Sequence, residues 1–460
     1  MSILTSVILM MDIKPRKIVL CTGVRTPIGH IARSLSNCNP ENLLKFTIES
    51  LLQKTSLYPH AVDGVIIGWV GQGSSAPNIA RIALLQAGLP EKAHAITIQA
   101  NCVSGMEAIS SAARHILVGE GELYIAGGTE SMSTFPYLIR GPRSKKELRT
   151  LSAIKENWNN LWDHTDIEIA DCIEEGLRDP VELIGMAGTA EVCAQMYSIS
   201  RESQDRYALE SYQRCLNAQK DGFYNSHVIP FQKDKNIILK QDEYPLLREG
   251  LVEKPQMISK APLMFDSPSM SIRDFYKQYG KHILGKKYEE GSTQATLTLF
   301  NSCARSDGAA AVIVTTEERA LDLKLEILAE LSSWAFWGNN PAHMGVAPVF
   351  STDLALKRAG IKFEQLDDIE LHEAFAATCL SIFKVGKEKF KHPWEEKFLQ
   401  KKLNPHGGSI ALGHPLAATG TRIVLNALYA MKRNPKIQYA LATACAAGGL
   451  GGAIILKRAS

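Results

Sequence analysis

The segment AITIQANCVSGMEAISSAARHIL, residues 95–117, contains three kinds of local pattern within a short stretch. Its apolar start, AITIQA, has the β-branched composition of a buried strand. The small residues NCVSG interrupt it, and the remainder places apolar residues at helical spacing, so Cys102 is expected at a helix N-terminus. A helix dipole stabilises a thiolate at that position. The segment therefore predicts a strand, a turn and a helix, with a reactive cysteine at the turn.

The same alternation extends in both directions along the chain. Apolar runs such as KIVLC (17–21), GVIIGWV (64–70) and ELYIAGG (122–128) alternate with helical patterns such as ENLLKFTIESLLQK (41–54). Such alternation is typical of βαβ units in a mostly parallel sheet. The C-terminal third repeats the order of turn, helix, strand and glycine-rich stop, since GGSIALGHPLAATGTRIVLNAL is followed by YALATACAAGG. An α/β fold with two duplicated halves is the expectation.

The composition is that of an ordinary globular protein of two to four domains, with 460 residues, 45% hydrophobic and 22% charged. A formal charge of +3 is too small to indicate a nucleic-acid partner. Nine cysteines without CxxC pairs or metal-ligand spacing predict reduced thiols in an intracellular compartment and no metal site. The start, MSILTSVILMM, lacks a basic n-region, so we expect no secretory signal.

The middle of the chain, residues 135–290, loses the strand pattern and becomes polar, helical and rich in turns. Within it an apolar stripe at helical spacing follows a basic lead-in. The stripe is Leu148, Leu151, Ile154, Trp158, Leu161 and Trp162, and the basic residues are Arg140, Arg143, Lys145, Lys146 and Arg149. The spacing predicts a helix with a buried apolar face, and contact of residues 140–165 with a membrane surface is the alternative.

Four short motifs carry the residues from which a catalytic site can be built. They are NCVSG with Cys102, HEAFAATC with His372, NPHGGSIALGHPLAATGTR with His414, and ATACAAGG with Cys445. In this order, and together with VRTPIG (24–29), GGTESMS (127–133) and SDGAAA (306–311), they resemble the thiolase family. The resemblance extends from Lys17 to Lys457, which is nearly the whole chain.

The resemblance implies a fold as well as an activity. In thiolases two α/β halves pack in a five-layered αβαβα arrangement, and an inserted, mostly helical loop domain covers the coenzyme A site. We accordingly assign residues 12–134 and 291–322 to the N-terminal half, residues 135–290 to the loop domain, and residues 323–460 to the C-terminal half.

The resemblance also implies a role for each motif. Cys102 would be the nucleophile that carries the acyl group as a thioester, His414 the base that activates it, and Cys445 the proton donor and acceptor. His372 would join His414 in an oxyanion hole for the enolate. Most thiolases have asparagine at that position, and histidine resembles the degradative, trifunctional type. The backbone N–H groups of Cys102 and Ala447 would bind the carbonyl oxygen of the acyl-enzyme.

Fewer coenzyme A contacts carry over from the family. Met186 matches a pocket methionine, and Cys303 stands in place of a serine that contacts pantetheine. Leu246 replaces a phosphate-facing arginine, for which Arg248 is the expected substitute, and Gly185 replaces a histidine of some short-chain thiolases. These departures favour a degradative enzyme. Coenzyme A is then a substrate, and no tightly bound cofactor is expected.

The sequence therefore predicts a 3-ketoacyl-CoA thiolase of fatty-acid β-oxidation, similar to the β subunit of trifunctional complexes. It is expected to be a homodimer in the cytoplasm, or in the mitochondrion of a eukaryote, and to bind a hydratase/dehydrogenase subunit. An acetyl-CoA C-acetyltransferase is the alternative. An inactive lipid-transfer or scaffold protein of the family is a third hypothesis, which the loss of Cys102, His414 or Cys445 would favour; all three are present.

Overall fold

The structure is a computed structural model that describes residues 16–142, 144–163, 167–233, 236–266 and 270–459. Strands and helices alternate in its first part, as the apolar runs predict. These elements are β1 (Ile18–Arg25), β2 (Gly29–His30), α1 (Pro40–Thr55), β3 (Gly64–Gly68), α2 (Ile79–Gln86), β4 (His94–Ile98), α3 (Ser104–Leu117) and β5 (Leu123–Ser131). Cys102 lies in the 3-10 turn Asn101–Val103 directly before α3, so its predicted place at a helix N-terminus is confirmed.

The middle of the chain consists of short elements. They are β6 (Tyr137–Arg140), α4 (Leu151–Glu156), β7 (Glu168–Asp171), α5 (Cys172–Gly176), α6 (Met186–Met196), α7 (Arg201–Lys220), β8 (Phe231–Lys233), β9 (Asn236–Leu239), α8 (Glu243–Glu253), α9 (Gln256–Ser259) and α10 (Ile272–Tyr279). The four strands form two separate ribbons, β6 with β7 and β8 with β9. The sequence pattern did not indicate these strands, because most of their side chains are at least partly exposed and give no buried apolar run.

The last part of the chain returns to alternating strands and helices. Its elements are β10 (Ser306–Thr316), α11 (Glu317–Asp322), β11 (Ile327–Gly338), α12 (Ala347–Ala359), β12 (Asp368–Leu371), α13 (Ala376–Phe390), α14 (Trp394–Leu399), α15 (Ser409–Leu412), α16 (Leu416–Arg433), β13 (Tyr439–Ala446) and β14 (Leu450–Lys457). The order of turn, helix and strand around α3 and β5 recurs here in α16 and β13. The predicted repeat is therefore present.

A single sheet of ten hydrogen-bonded strands runs through the described residues in the order β12-β13-β14-β11-β1-β10-β5-β3-β4, with β2 beside β10. Strand β1 joins the two halves, since it pairs with β10 on one side and β11 on the other. Among the described strands of this sheet, β3 is parallel to β4 and β5, and β12 to β13, whereas the other neighbours are antiparallel. The prediction of a mostly parallel sheet is wrong, because β14 returns directly beside β13 and β10 returns beside β5 after the long middle segment.

The sheet is covered on both faces in each half. Along β1, Leu20 packs into the core that contains α3 and α16, while its neighbour Val19 packs into the core with α1 and α2. Helix α16 is buried from Leu416 to Met431 and contacts β5 and β10 of one half as well as β12 and β13 of the other. Helix α12 packs on β11 and β14. The five layers that the family resemblance implied are therefore helices, one half of the sheet, the central helices, the other half of the sheet, and helices.

The continuous helix predicted over the apolar stripe does not form. The chain makes the 3-10 turn Lys146–Leu148, then α4, then the 3-10 helix Trp158–Asp163. Thr150 caps the start of α4 by accepting from the Ala153 N–H. The Asn157 side chain donates to the Ala153 carbonyl at 2.9 Å and ends the helix. Polar side chains that compete for backbone groups explain why apolar spacing alone overestimated the helix length.

The stripe is also not a uniformly buried face. Leu148 is buried, whereas Leu151 and Trp158 are 67% and 47% exposed. The side chains of Leu161 and Trp162, and all of Arg143, lie outside the described residues. None of the described helices is long and apolar enough to cross a membrane.

Candidate active site

The four predicted motifs meet at one cavity of about 630 Å³. The turn before α3 supplies Cys102, the turn before α16 supplies His414, and the end of β13 supplies Cys445. Ala447, in the turn between β13 and β14, also lines this cavity. Because α3 and α16 are the two helices of the central layer, the residues at their N-terminal ends are brought together from opposite halves of the fold.

Cys102 and His414 are in direct contact, with 3.2 Å between the thiol Sγ and Nε2 of the ring. The other ring nitrogen, Nδ1, lies 2.7 Å from the Thr419 hydroxyl oxygen. That hydroxyl donates its own proton to the Pro415 carbonyl at 3.0 Å, so it accepts from Nδ1–H. The arrangement leaves the lone pair of Nε2 directed at the thiol. Sequence analysis did not single out Thr419, although it lies within the quoted motif.

The charge state of this pair differs from the sequence expectation. Burial raises the pKa of Cys102 to about 12, although the N–H groups of Ala447 and Cys102 itself act in the opposite direction. Burial, with a smaller effect of the Arg422 charge, lowers the pKa of His414 to about 3. The resting pair is therefore a neutral thiol and a neutral imidazole, because desolvation outweighs the stabilisation from the helix N-terminus. A thiolate forms here only together with an imidazolium.

Two backbone segments converge on the sulfur of Cys102. Hydrogen bonding from the N–H groups of Cys102 and Ala447 acts to lower the pKa of this thiol, against the larger effect of burial. The Asn101 side chain donates to the Ala447 carbonyl at 3.0 Å and ties the two segments together. In the turn that follows Ala447, Gly449 has a φ of 77°, and a Cβ there would lie 2.0 Å from the Asn339 carbonyl oxygen. Only glycine fits that position.

His372 lies behind this pair and is fully buried. Its ring centroid is 4.2 Å from that of His414, and its Nδ1 is 2.8 Å from the Ser409 hydroxyl oxygen. Its Nε2 has no hydrogen-bond partner among the described residues. Burial, followed by the charges of His414 and Arg422, holds the pKa of His372 well below its usual value. The ring is therefore neutral, and its Nε2 is left without a protein partner among the described residues.

Ligating atoms of Cys102, His372 and His414 lie within 4.8 Å of one another. This spacing alone would admit a cation, but a metal ligand must be a thiolate or an unprotonated imidazole nitrogen, and burial keeps the Cys102 thiol protonated. The arrangement therefore fits a thiol beside its base better than a metal site.

Cys445 is buried at 1% exposure and lines the same cavity. Burial, assisted by the thiols of Cys102, Cys379 and two other cysteines, raises its pKa well above the ordinary value. The thiol is therefore protonated at rest and can give its proton only to a strong base. Cys379 is fully buried and outside the cavity lining, so it packs in the core.

The three residues assigned to coenzyme A line the cavity as well: Met186 at the start of α6, Arg248 in α8, and Cys303 before β10. The Arg248 guanidinium lies 4.3 Å from the Phe300 ring centroid and 4.9 Å from that of Tyr244. It also donates to the Tyr244 hydroxyl at 2.6 Å. Two aromatic rings thus hold this cation at the cavity wall.

Glu373 is a site residue that sequence reasoning missed. Its carboxylate accepts hydrogen bonds from the Ser211 hydroxyl at 2.6 Å, the Asn404 amide at 2.8 Å, the Tyr207 hydroxyl at 3.1 Å and the Ile410 N–H at 3.2 Å. It thereby fastens α7 to the segments that carry His372 and His414. The acidic residue in the otherwise apolar motif HEAFAATC could have indicated this role, because a buried carboxylate requires hydrogen-bond partners.

The cavity wall away from the thiols is apolar, and an ion pair lies at its edge. Glu174 and Arg305 approach to 2.8 Å with both side chains partly exposed. All three parts of the chain supply the apolar lining: Leu177 and Met264 from the middle segment, Leu299 from residues 291–322, and Met344 from the C-terminal half. Such a lining suits a hydrocarbon group better than a charged one.

The fold and this site define an acyltransferase of the α/β class. Residues 18–252 match the family description "Thiolase, N-terminal domain", and residues 325–458 match "Thiolase, C-terminal domain". The chain belongs to the thiolase family.

Similar proteins agree with this assignment. The chain is 32% identical over 447 residues to a probable acetyl-CoA acyltransferase of Staphylococcus aureus, covering 96% of this chain and 99% of that protein. It is 33% identical over 442 residues to an acetyl-CoA acetyltransferase of Chromobacterium violaceum, covering 96% of this chain and all of the relative (100%). The crystal structure of human mitochondrial 3-ketoacyl-CoA thiolase superposes with a TM-score of 0.80 at 30% identity, covering 97% and 99% of the two chains. A complex of the human protein with CoA gives a TM-score of 0.79 at 29% identity, covering 97% and 98%.

Proposed function

We propose that this protein is a 3-ketoacyl-CoA thiolase of fatty-acid β-oxidation, of the trifunctional β-subunit type. It would cleave a 3-ketoacyl-CoA with CoA to give acetyl-CoA and a shortened acyl-CoA. The contact of the Cys102 thiol with the unprotonated Nε2 of His414, in a cavity that also holds Cys445, carries the proposal. The names of the acyltransferase relatives and the CoA complex of the human thiolase support the substrate class.

In the first half-reaction, His414 takes the proton of Cys102 while the sulfur attacks the C3 carbonyl of the substrate. The bond between C2 and C3 then breaks, leaving the acyl group on Cys102 and acetyl-CoA as its enolate. N–H groups of His372 and His414 hold the enolate oxygen. Cys445 gives its proton to C2, which is a strong enough base to take it, and acetyl-CoA leaves.

In the second half-reaction, the thiolate of Cys445 takes the proton of the CoA thiol. The CoA sulfur attacks the thioester on Cys102, and the N–H groups of Cys102 and Ala447 hold the carbonyl oxygen as it becomes negative. Collapse releases the acyl-CoA and the Cys102 thiolate, which recovers its proton from His414. Both thiols and the imidazole thus return to the neutral state that burial favours in the free enzyme.

Met186, Arg248 and Cys303 are proposed to contact coenzyme A. Their places on the cavity wall support this, and the Arg248 guanidinium is the cation suited to a phosphate or to the polar pantetheine arm.

The alternative function, acetyl-CoA C-acetyltransferase, has the support of the Chromobacterium violaceum relative. The two functions differ in acyl length, and the apolar lining of Leu177, Met264, Leu299 and Met344 favours the longer substrate.

We expect kcat/KM for thiolysis to rise as the 3-ketoacyl chain is lengthened from four carbons towards sixteen. Each buried CH₂ is worth about 0.8 kcal/mol, or roughly fourfold, until the apolar wall is filled. Steady-state thiolysis across the series measures the rise, with the Cys102→Ala variant giving the background rate. A maximum at four carbons followed by a steady fall would instead establish the acetyltransferase.

A homodimer is proposed from the edge of the sheet. Strand β4 is the last strand on its side within the described sheet, and its Ile96 and Ile98 are only partly buried. An apolar edge strand of this kind pairs readily with a second chain. Because β4 leads directly into the turn with Cys102, pairing would also support the candidate site.

We propose that the surface around Trp158 binds an anionic membrane. Exposed Leu151 and Trp158 lie in the segment that follows the exposed basic residues Lys146 and Arg149. Replacing Trp158 by serine should lower sedimentation with anionic phospholipid vesicles on the order of tenfold, since an aromatic side chain loses its buried area.

The control is Trp337→Ser, which removes an indole of similar exposure (42%) from β11. Thiolysis of a short substrate should be unchanged in both variants. Equal vesicle binding by the wild type and both variants would show that Trp158 does not lie at a membrane-binding surface.

The remaining assignments are proposals with more general support. The division into residues 12–134 with 291–322, 135–290 and 323–460 is supported by the separate ribbons of the middle segment. Location in the cytoplasm, or in a mitochondrion, agrees with nine cysteines that are all described and all free. A complex with a hydratase/dehydrogenase subunit rests on the family resemblance.

A further inference from the structure

We propose that Ser409 and Arg422 are positioning residues that place the single proton of the His372 imidazole on Nε2, the ring nitrogen that has no partner among the described residues. The inference rests on the proposed function, because it deepens the role of His372 in holding the enolate oxygen. Neither residue contacts the reacting atoms, and both would act through the ring of His372.

The direction of the hydrogen bonds begins at Arg422. Its Nη2 lies 2.7 Å from the Ser409 hydroxyl oxygen, and a guanidinium can only donate. The hydroxyl oxygen is therefore an acceptor in this contact and keeps its own hydrogen for another partner. That oxygen is 2.8 Å from Nδ1 of His372, and no other acceptor contacts it among the described residues. The Ser409 hydroxyl therefore donates to Nδ1.

The proton of His372 is assigned by elimination. A neutral imidazole carries one proton, and an Nδ1 that accepts a hydrogen bond leaves this proton on Nε2. Arg422 is itself fully buried, and a guanidinium donates but does not accept, so its hydrogen bond to Ser409 cannot reverse. The hydrogen bonds therefore run in one direction: Arg422 donates to Ser409, and Ser409 donates to Nδ1 of His372.

The resulting N–H has no partner in the described structure, although His372 is fully buried. A buried donor without a partner costs free energy, which is recovered when an acceptor arrives. The enolate oxygen is such an acceptor, and its negative charge develops only during the reaction, so the uncompensated N–H would favour the transition state over the free enzyme.

The two adjacent histidines are thereby held in opposite proton arrangements. Thr419 accepts from Nδ1–H of His414, which leaves Nε2 of that ring free to take a proton. Ser409 donates to Nδ1 of His372, which leaves Nε2–H of that ring free to give a hydrogen bond. Two hydroxyls from neighbouring helices, α15 and α16, thus give one imidazole the form of a base and the other the form of a donor.

A double-mutant cycle with Ser409→Ala and His372→Ala tests this inference. We expect Ser409→Ala to lower kcat on the order of 10-fold to 100-fold, the usual size when a group that orients a histidine is lost, with KM little changed. In the His372→Ala background the same serine substitution should have no further effect on kcat. Ser381→Ala is the matched control, because Ser381 is equally buried and its hydroxyl donates to the Ala377 carbonyl of its own helix.

The outcomes distinguish the oxyanion role of His372, which belongs to the proposed function, from the positioning role of Ser409 and Arg422. If His372→Ala leaves kcat unchanged, the oxyanion role in the proposed function is lost. If His372→Ala lowers kcat but Ser409→Ala lowers it equally in both backgrounds, or not at all, the positioning role is overturned while the proposed function stands.

A second measurement does not depend on activity. In the wild-type enzyme with ¹⁵N-labelled histidine, the NMR signals of His372 should show an unprotonated Nδ1 and a protonated Nε2. The assignment comes from the signals that disappear in His372→Ala. A protonated Nδ1 would overturn the inference.

Discussion

Replacing Cys102 by serine should abolish formation of the acyl-enzyme and reduce thiolysis by a factor on the order of 10⁴ to 10⁶, the range found when a nucleophile is removed from a catalytic triad. Burial lowers the pKa of the neighbouring His414 to about 3, so the imidazole is a weak base in the free enzyme. It can take a proton from a thiol as the new bond forms, whereas an alcohol gives up its proton far less readily.

The acyl-enzyme is measured by mass spectrometry of protein quenched after mixing with a 3-ketoacyl-CoA. The control is Cys172→Ser, because Cys172 lies on α5 outside the cavity lining and should leave both readouts unchanged. An acyl group found on another residue, or substantial turnover by Cys102→Ser, would remove Cys102 from the mechanism.

Replacing Cys445 by alanine should leave acylation of Cys102 detectable while turnover falls by a factor on the order of 10² to 10⁴, the usual contribution of a positioned acid or base. The thiol of Cys445 lies in the same cavity, and burial raises its pKa, so it holds a proton until the enolate needs one. Without it, cleavage of the carbon–carbon bond has no proton source, and the CoA thiol has no base.

Rapid-quench kinetics separates these two effects. A burst of acyl-enzyme followed by slow release is the expected pattern for Cys445→Ala, and Cys379→Ala is a matched removal of a buried thiol that does not line the cavity. Unchanged turnover in Cys445→Ala would show that another group carries the proton.

The class of fold and the residues of the candidate site could be predicted from the sequence, because both depend on local side-chain patterns. Buried strands need apolar runs and amphipathic helices need apolar spacing, so alternation along the chain predicted an α/β protein. Cys102, His372, His414 and Cys445 each lie where a strand or helix ends at a turn, and such ends carry the unusual residues that chemistry requires.

The local sequence pattern did not predict strand direction or helix length correctly where these depend on contacts outside the pattern itself. Strand direction is one case, since β1 and β10 are antiparallel although each has the apolar composition of a parallel strand. The apolar stripe is another, because hydrogen bonds of Thr150 and Asn157 divide it into short helices. In both, long-range topology or a local polar contact outweighs apolar spacing.

By itself the sequence determined the family, the α/β alternation and the residues that come together at the cavity, because each of these depends on which side chains occur and in what order along the chain. Only the tertiary structure decided the proton arrangement of the site. The neutral state of Cys102 and His414 follows from desolvation, a property of everything packed around them. The orientation of His372 follows from Ser409 and Arg422, whose hydrogen bonds exist only once α15 and α16 pack against the end of β12.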